Sequence, residues 1–316
     1  MRKSINNMKI AVESTVYLQP QNKRRLEKIG KVIRYKWGCN KEEFFETVKD
    51  SSIIIANKCV FNELLPKLNV KLISLWSTGF DLINVEQCRE FNITVTNVPS
   101  YSTNSVAEQA IALIIELTKK VGWLNRQLLS GKWAYDLPLM TEIKGKTLGI
   151  IGFGNIGRKV AEIAKALEMK ILAYSRTNRQ KEFPEYKFLS LDDLLKNSDF
   201  ITIHAPLNNE TRHLINKNKL KLMKKTAFVI NCSRGAIIDQ EDLIEALKSK
   251  SIAGAGLDVF EKEPLPMDNK LRKLGNVVMT PHNAFYTKEA VERLTGICVD
   301  NAENFLSGKK SNVVSR

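Results

Sequence analysis

The sequence predicts an α/β protein made of two doubly wound parallel-sheet domains, and three observations predict it. Short apolar runs alternate with helix-periodic segments from end to end; one apolar run in mid-chain ends in a glycine-rich turn that opens a helix; and 316 residues, 43% hydrophobic and 26% charged, are enough for two cores of ordinary size. The alternation implies parallel sheets, because parallel neighbours need a crossover connection and the usual crossover is a helix.

The first series has strand-like runs at Lys9–Val12, Val32–Tyr35, Ile53–Ala56, Leu72–Leu75 and Ile93–Thr96, with helix-like segments such as Lys41–Val48 between them. An apolar-periodic helix is expected over Ser105–Leu129, capped by Asn104 or Ser105 with Glu108 in its first turn. Its length and apolar faces suit a homodimer interface. A second series has strands near Thr147–Ile151, Lys170–Tyr174, Phe200–Ile203, Ala227–Asn231, Gly254–Asp258 and Val277–Thr280, then an amphipathic helix at Lys288–Leu306. That last helix has no further strand to feed, so it is expected to return to the first series. One domain is then discontinuous, residues 1–103 plus 287–316, and the other covers 104–286, with a ligand cleft expected between them.

The mid-chain turn is Gly152-x-Gly154-x-x-Gly157, after the apolar run from Leu148 and before a helical segment from Arg158 to Leu167. Gly152 permits a tight turn, Gly154 lets backbone approach a pyrophosphate, and Gly157 lets helix and strand pack closely. The phosphates of a dinucleotide then meet unpaired N–H groups at the positive end of the helix, with Asn155 and Ile156 in the opening turn.

Composition excludes other classes. The net charge of +15 comes from scattered basic residues, with small clusters at Lys23–Arg25 and Lys219–Lys225 and no interleaved aromatics. That describes a surface attractive to small anions rather than a nucleic-acid interface. No apolar run approaches the roughly 20 residues of a membrane span, and the polar Met1–Asn7 segment has no signal-peptide core. The five cysteines, Cys39, Cys59, Cys88, Cys232 and Cys298, lie far apart with no Cys-x-x-Cys, so no disulfide framework or metal site is expected and a reducing cytoplasm is.

Three histidines are available as proton carriers. His282 follows the strand Val277–Thr280, at the carboxyl end where α/β sheets hold ligands. His204 also ends a strand, and its neighbours Ala205 and Pro206 suggest backbone contact with a ligand; His213 reads as surface. Arg234, in Asn231-Cys-Ser-Arg-Gly235, stands at a strand-to-loop junction, and its planar fork suits a carboxylate. Asp258, Glu261 and Glu263 follow the next strand, where a carboxylate can bond the far nitrogen of the His282 ring and fix its orientation.

Together the glycine turn, Arg234, Glu263 and Pro281-His282 resemble the D-2-hydroxyacid dehydrogenases, and the resemblance covers nearly the whole chain. Thr96–Glu108 is similar to that family's crossover into its nucleotide domain; Asn231–Asp239 and Gly254–Pro264 are similar to its two signature blocks. The resemblance implies two Rossmann- or flavodoxin-like domains with the active site in the cleft between them, a homodimer, and hydride transfer from a nicotinamide to C2 of a 2-oxo acid without a metal. It implies that Arg234 binds the substrate carboxylate and carbonyl, that His282 is the acid/base, and that Glu263 supports it. Asp258 then contacts the nicotinamide end, and the Ser77-Thr78-Gly79 loop offers backbone amides to the substrate carboxylate. Val106, His204, Ala205, Pro206, Thr211, Cys232 and Ser233 complete the implied cofactor contacts.

Two departures refine this. The strand after the glycine turn ends Tyr174-Ser175-Arg176-Thr177, without the acidic residue that grips a ribose 2′-hydroxyl roughly 20 residues after the glycines. Arg176 can pair with a 2′-phosphate and the hydroxyls of Ser175 and Thr177 can donate to it, so NADP(H) is expected to be preferred, with NAD(H) possible. The Asn97–Glu108 block and Leu113–Thr118 are most similar to the glycerate dehydrogenase/hydroxypyruvate (glyoxylate) reductase branch. Pro281-His-Asn283-Ala-Phe285-Tyr286 is instead similar to the lactate branch, so a bulkier 2-oxo acid is the alternative. Thr78 stands where the phosphite-oxidising branch has lysine, which disfavours that chemistry. Trp76, just before the Ser77-Thr78-Gly79 loop, either walls a pocket or packs in the core, and the pocket is the favoured reading. A reading from another class is a non-catalytic NAD(P)-sensing protein, resembling the C-terminal-binding-protein corepressors on the same scaffold.

Overall fold

The computed structural model describes residues 8–57, 60–133, 139–177 and 179–315; Cys59 lies outside them. The chain forms two compact units, one taking in the residues up to Ser102 and from Tyr286 onward, the other Thr103–Phe285.

In the first unit, β1 (Lys9–Glu13), β2 (Lys31–Tyr35), β3 (Ile53–Ala56), β4 (Leu72–Leu75) and β5 (Thr94–Thr96) form a parallel sheet in the order β2-β1-β3-β4-β5. Both β3 and β4 are buried at every position, which is why Ile-Ile-Ile-Ala and Leu-Ile-Ser-Leu read as continuous runs rather than alternating ones. Helix α1 (Pro20–Ile29) starts with proline, whose missing N–H has no intrahelical partner to lose there. Helix α2 (Lys41–Val48) is closed by a reciprocal capping box between Asn40 and Glu43, and α3 (Val85–Glu90) by Asn84. The C-terminal helix, α10 (Lys288–Leu306), packs on α1 and β4 of this unit, and Arg25 ties it to α1 through Asp300 and Glu303, each at 2.6 Å.

Trp76, at the end of β4, is 2% exposed and donates its indole N–H to Thr295 Oγ1 at 3.0 Å. Of the two readings of Trp76, the pocket wall is therefore corrected in favour of the core. An indole buried with its N–H satisfied is a core residue.

In the second unit, α4 (Thr103–Lys119) and α5 (Val121–Leu129) precede β6 (Thr147–Ile151), α6 (Asn155–Ala166), β7 (Lys170–Tyr174), β8 (Lys187–Phe188), α7 (Leu191–Asn197), β9 (Phe200–Ile203), α8 (Lys217–Leu220), β10 (Phe228–Asn231), α9 (Gln240–Lys248), β11 (Gly254–Leu257) and β12 (Val277–Met279). The seven strands are parallel in the order β12-β11-β10-β9-β6-β7-β8. Strand order reverses between β6 and β9, the switch point outside which such sheets bind ligands. Leu148, Ile150, Phe200 and Ile230 join one apolar cluster with α4 and α6, whereas Ile151, Ile201 and Val229 join the other with α7 and α9. The two faces follow from the two-residue side-chain period of a strand.

Three local expectations change. The single helix over Ser105–Leu129 is two helices, broken at Lys120, whose φ of +53° is left-handed. Glu116 makes the break tenable: both its carboxylate oxygens accept the Gly122 N–H, at 3.0 and 3.1 Å, where α5 starts. Ser105 is no cap, since it lies inside α4 and its hydroxyl donates to the Ala284 carbonyl. The two-residue strand β8 was below what hydrophobic periodicity can register. No residue of α5 is buried, and Val121, Trp123, Leu128 and Leu129 are exposed. Among the described residues no helix is long and apolar enough to cross a membrane.

Candidate active site

Apart from Val106, which lies in α4, the candidate residues of the second unit stand at or beyond the carboxyl ends of strands in one parallel sheet. After β6 the chain turns at Gly152 with φ +94°, and a Cβ there would lie 2.6 Å from the Ala205 nitrogen. At Gly157 a Cβ would lie 2.2 Å from the Gly152 oxygen, so helix α6 and its turn can pack only without a side chain. Gly154 differs: it is the N-cap of α6, no side chain caps that helix, and nothing lies within 4 Å of where its Cβ would be. An open, uncapped helix N-terminus reached by a tight glycine turn fits a dinucleotide pyrophosphate.

The end of β7 is polar and exposed. Ser175 Oγ donates to the Thr177 oxygen at 2.5 Å, and Arg176 Nη1 lies 2.9 Å from Glu210 Oε2. Glu210 belongs to the loop after β9 and was not foreseen, since no spacing rule links two residues brought together across a sheet. Two further arginines were missed. Arg179 donates Nη1 to the Phe153 oxygen in the glycine turn at 2.6 Å and forks onto Glu182, while Arg158 reaches Asn155 Oδ1; both guanidinium groups cover the Phe183 ring. Each is a lone arginine in the sequence, and only the fold gathers them.

At the centre, His204 follows β9. Burial pushes its imidazole down to about 3; Nε2 lies 2.9 Å from Thr202 Oγ1, while the buried Nδ1 has no protein partner. Val106 and Cys232 sit in the apolar cluster beneath, and burial pushes the Cys232 thiol up. The Ser233 hydroxyl donates to the Ala205 oxygen, and Thr211 Oγ1 donates to the Pro206 oxygen at 2.6 Å. Ser233 thus fastens the end of β10 to the end of β9 and Thr211 closes the loop after β9, so backbone is what they leave for a ligand.

Three adjacent strands, β10, β11 and β12, supply the chemical groups. Arg234, after β10, donates Nη1 to the Ser233 oxygen at 2.8 Å. Glu263, after β11, accepts the Phe260 N–H on Oε1 at 3.0 Å and places Oε2 2.6 Å from His282 Nδ1. The His282 and Glu263 side chains are each 27% exposed, so the pair is shielded but reachable. His282 itself has φ +52°, and its N–H donates to the Asp258 oxygen at 2.7 Å. Asp258 is fully buried and takes three donors from the same turn: Thr280 Oγ1 (2.6 Å), the Asn283 N–H (3.0 Å) and the Ala284 N–H (2.9 Å). Burial raises its carboxyl above the usual range, against those hydrogen bonds. Asp258 thus pins the loop carrying His282, a role its position in the sequence did not disclose.

Phe285 stands edge-on to the His282 ring at 6.5 Å. His213 lies at the surface as expected, its side chain 41% exposed, with Nε2 2.9 Å from Glu261 Oε1. Among the described residues no group of three or more His, Cys, Asp or Glu is placed to hold a metal. In the first unit the Ser77–Gly79 loop follows β4. Ser77 Oγ donates to the Gly79 oxygen and Thr78 Oγ1 to the Val98 oxygen, both at 2.7 Å, so the hydroxyls turn inward and the loop's amides are what it can offer an anion.

The chain is similar to several known proteins. Residues 111–284 match the family model described as D-isomer specific 2-hydroxyacid dehydrogenase, NAD binding domain. The chain is 38% identical to a hydroxypyruvate reductase of Blautia hydrogenotrophica over 98% of this chain and 100% of that one. It is 41% identical to a glyoxylate reductase of Thermococcus litoralis over 82% of this chain and 81% of that one. Among solved structures, an acyclic imino acid reductase in complex with NADPH and D-Arg superposes with a TM-score of 0.89 at 32% identity, over 97% of this chain and 100% of that one.

Proposed function

The chain is a nicotinamide-dependent dehydrogenase belonging to the D-isomer specific 2-hydroxyacid dehydrogenase family, and we propose that it reduces a small 2-oxo acid, glyoxylate or hydroxypyruvate in type, to the D-2-hydroxy acid. The observation that carries the reading is the 2.6 Å contact between His282 Nδ1 and Glu263 Oε2, beside Arg234 on the next strand but one. With Nδ1–H donated to Glu263, the transferable proton resides on Nε2. His282 delivers it to the C2 oxygen as that atom gains charge. Arg234 takes the substrate carboxylate in its fork and orients the carbonyl. The nicotinamide, when bound, supplies the hydride to C2, which balances the reduction with the His282 proton.

On the cofactor side, Gly152, Gly154, Asn155, Ile156 and Gly157 hold the pyrophosphate, and Arg176, with the hydroxyl of Thr177, holds a 2′-phosphate. We infer a preference for NADP(H), supported by the absence of an acid after β7. The exposed apolar side chains of α5 support a homodimer formed through this region. The buried free cysteines among the described residues fit a reducing cytoplasm.

A screen of glyoxylate, hydroxypyruvate, pyruvate and bulkier 2-oxo acids, each with NADPH and NADH, tests the reading. Turnover is expected to be fastest with a two- or three-carbon acid and NADPH. A pyruvate or branched-acid optimum would move the assignment to the lactate-like alternative. An enzyme that reduces none of them, yet binds cofactor with His282→Ala as well as without it, is a sensing protein.

A further inference from the structure

We propose that Glu210 sets how sharply the cofactor site separates NADPH from NADH, because its carboxylate occupies the guanidinium that would receive the 2′-phosphate. The inference rests on the reading of Arg176 as the 2′-phosphate ligand. Arg176 Nη1 and Glu210 Oε2 are 2.9 Å apart, with side chains 77% and 64% exposed. The positive charge at the end of β7 is therefore partly neutralised before a cofactor arrives.

The two partners are held unequally. Glu210 sits in a loop whose backbone is pinned by Asn208 Oδ1, which accepts the N–H groups of Glu210 (2.9 Å) and Thr211 (3.0 Å). Thr211 Oγ1 closes the same loop onto the Pro206 oxygen and accepts the Asn208 N–H at 2.8 Å. The carboxylate can leave only by side-chain rotation. Arg176 lies on an exposed bend and is free to follow it.

Charge decides the consequence. A phosphate monoester carries about −1.5 to −2 near neutral pH, so a carboxylate whose backbone is anchored beside the same guanidinium raises the energy of bound NADPH. The 2′-hydroxyl of NADH is a donor that a carboxylate can accept. Glu210 thereby supplies, from the loop after β9, the acidic group that the end of β7 lacks. The other arginines nearby do not substitute for Arg176: Arg179 is forked onto Glu182 and tied to the glycine turn, and Arg158 is tied to Asn155.

The test compares the holoenzyme with Glu210→Gln and Arg176→Ala, measuring kcat/KM with NADPH and NADH and, by calorimetry, the Kd of 2′,5′-ADP against 5′-ADP. Glu210→Gln is expected to raise the NADPH-to-NADH ratio about five-fold, through KM rather than kcat, and to shift the nucleotide Kd ratio the same way. If the ratio stays within about two-fold or falls, while Arg176→Ala still weakens 2′,5′-ADP selectively, Glu210 is not the discriminating group and the Arg176 reading stands. If Arg176→Ala weakens both nucleotides equally, the Arg176 reading fails and the inference with it.

Discussion

The two ends of the seven-stranded sheet treat polar side chains in opposite ways. At β10 to β12 each group is fastened to backbone or to a buried carboxylate: Glu263 by the Phe260 N–H, the His282 loop by Asp258, Arg234 by the Ser233 oxygen. At the end of β7, Arg176 lies in solvent and meets only a surface carboxylate among the contacts described. The difference teaches which task needs which precision. Proton and hydride transfer tolerate displacements well under an ångström, so the groups serving them are locked by neighbours. Reading a phosphate charge, the task proposed for Arg176, works through a Coulomb field that falls off gently, so an exposed arginine suffices for it.

The largest effect tests the locked end. Arg234→Ala and His282→Ala should each lower kcat/KM by about 10²–10⁴-fold, while NADPH binding followed by fluorescence persists; near-normal turnover of either variant would remove that residue from the mechanism. Next, Gly235→Ala should disturb the locked end through backbone alone. Its Cβ would lie 1.9 Å from the Phe260 carbonyl carbon, so Arg234 and the Glu263 loop must both shift. A loss of about 2–4 kcal/mol in urea unfolding is expected, and an unfolding midpoint equal to wild type would show that the close approach relaxes freely.

Glu263→Gln keeps the shape but removes the charge facing His282. It should cost at least about ten-fold in kcat with little change in KM, and a pure KM effect would make Glu263 a substrate-binding group instead. At the loose end the expected effect is smaller and selective: Arg176→Ala should raise KM for NADPH about ten-fold and leave NADH within about two-fold. Equal losses for both cofactors would erase the contrast between the ends.

His204, between the two ends, gives a prediction about stability alone. Its folded value of about 3 lies below the ordinary 6.5, so between these limits the unfolded chain binds a proton that the native state does not. Stability is therefore lost as pH falls from about 6.5 toward 3, by up to about 1.4 kcal/mol per unit. Urea midpoints against pH should decline less steeply for His204→Asn; identical slopes would show that another group carries the acid loss.

Much of the architecture was legible in advance. The runs Ile53–Ala56, Leu72–Leu75, Thr147–Ile151 and Phe200–Ile203 are strands as expected, and α10 has the expected ends, because buried parallel strands and amphipathic helices write their periods directly into the chain. The break at Lys120 was not legible, since it depends on Glu116 reaching the Gly122 N–H after the chain has turned. Trp76 looked like a pocket wall because an exposed indole and a buried one with a partner have the same sequence; Thr295, far along the chain, decides between them.

The sequence alone determined the order of the longer strands and helices, the glycine turn at Gly152–Gly157, and the residue types proposed to do the chemistry, because each is a local pattern or a residue type with few alternative uses. The tertiary structure decided partnerships: it set Glu263 against His282, as the resemblance implied, and it brought together two pairs nothing in the chain announced, Asp258 with the His282 loop and Glu210 with Arg176. Those pairs join residues separated by 19, 26 and 34 positions. Only the folding of a parallel sheet, which brings successive strand ends to one edge, turns such separations into contacts.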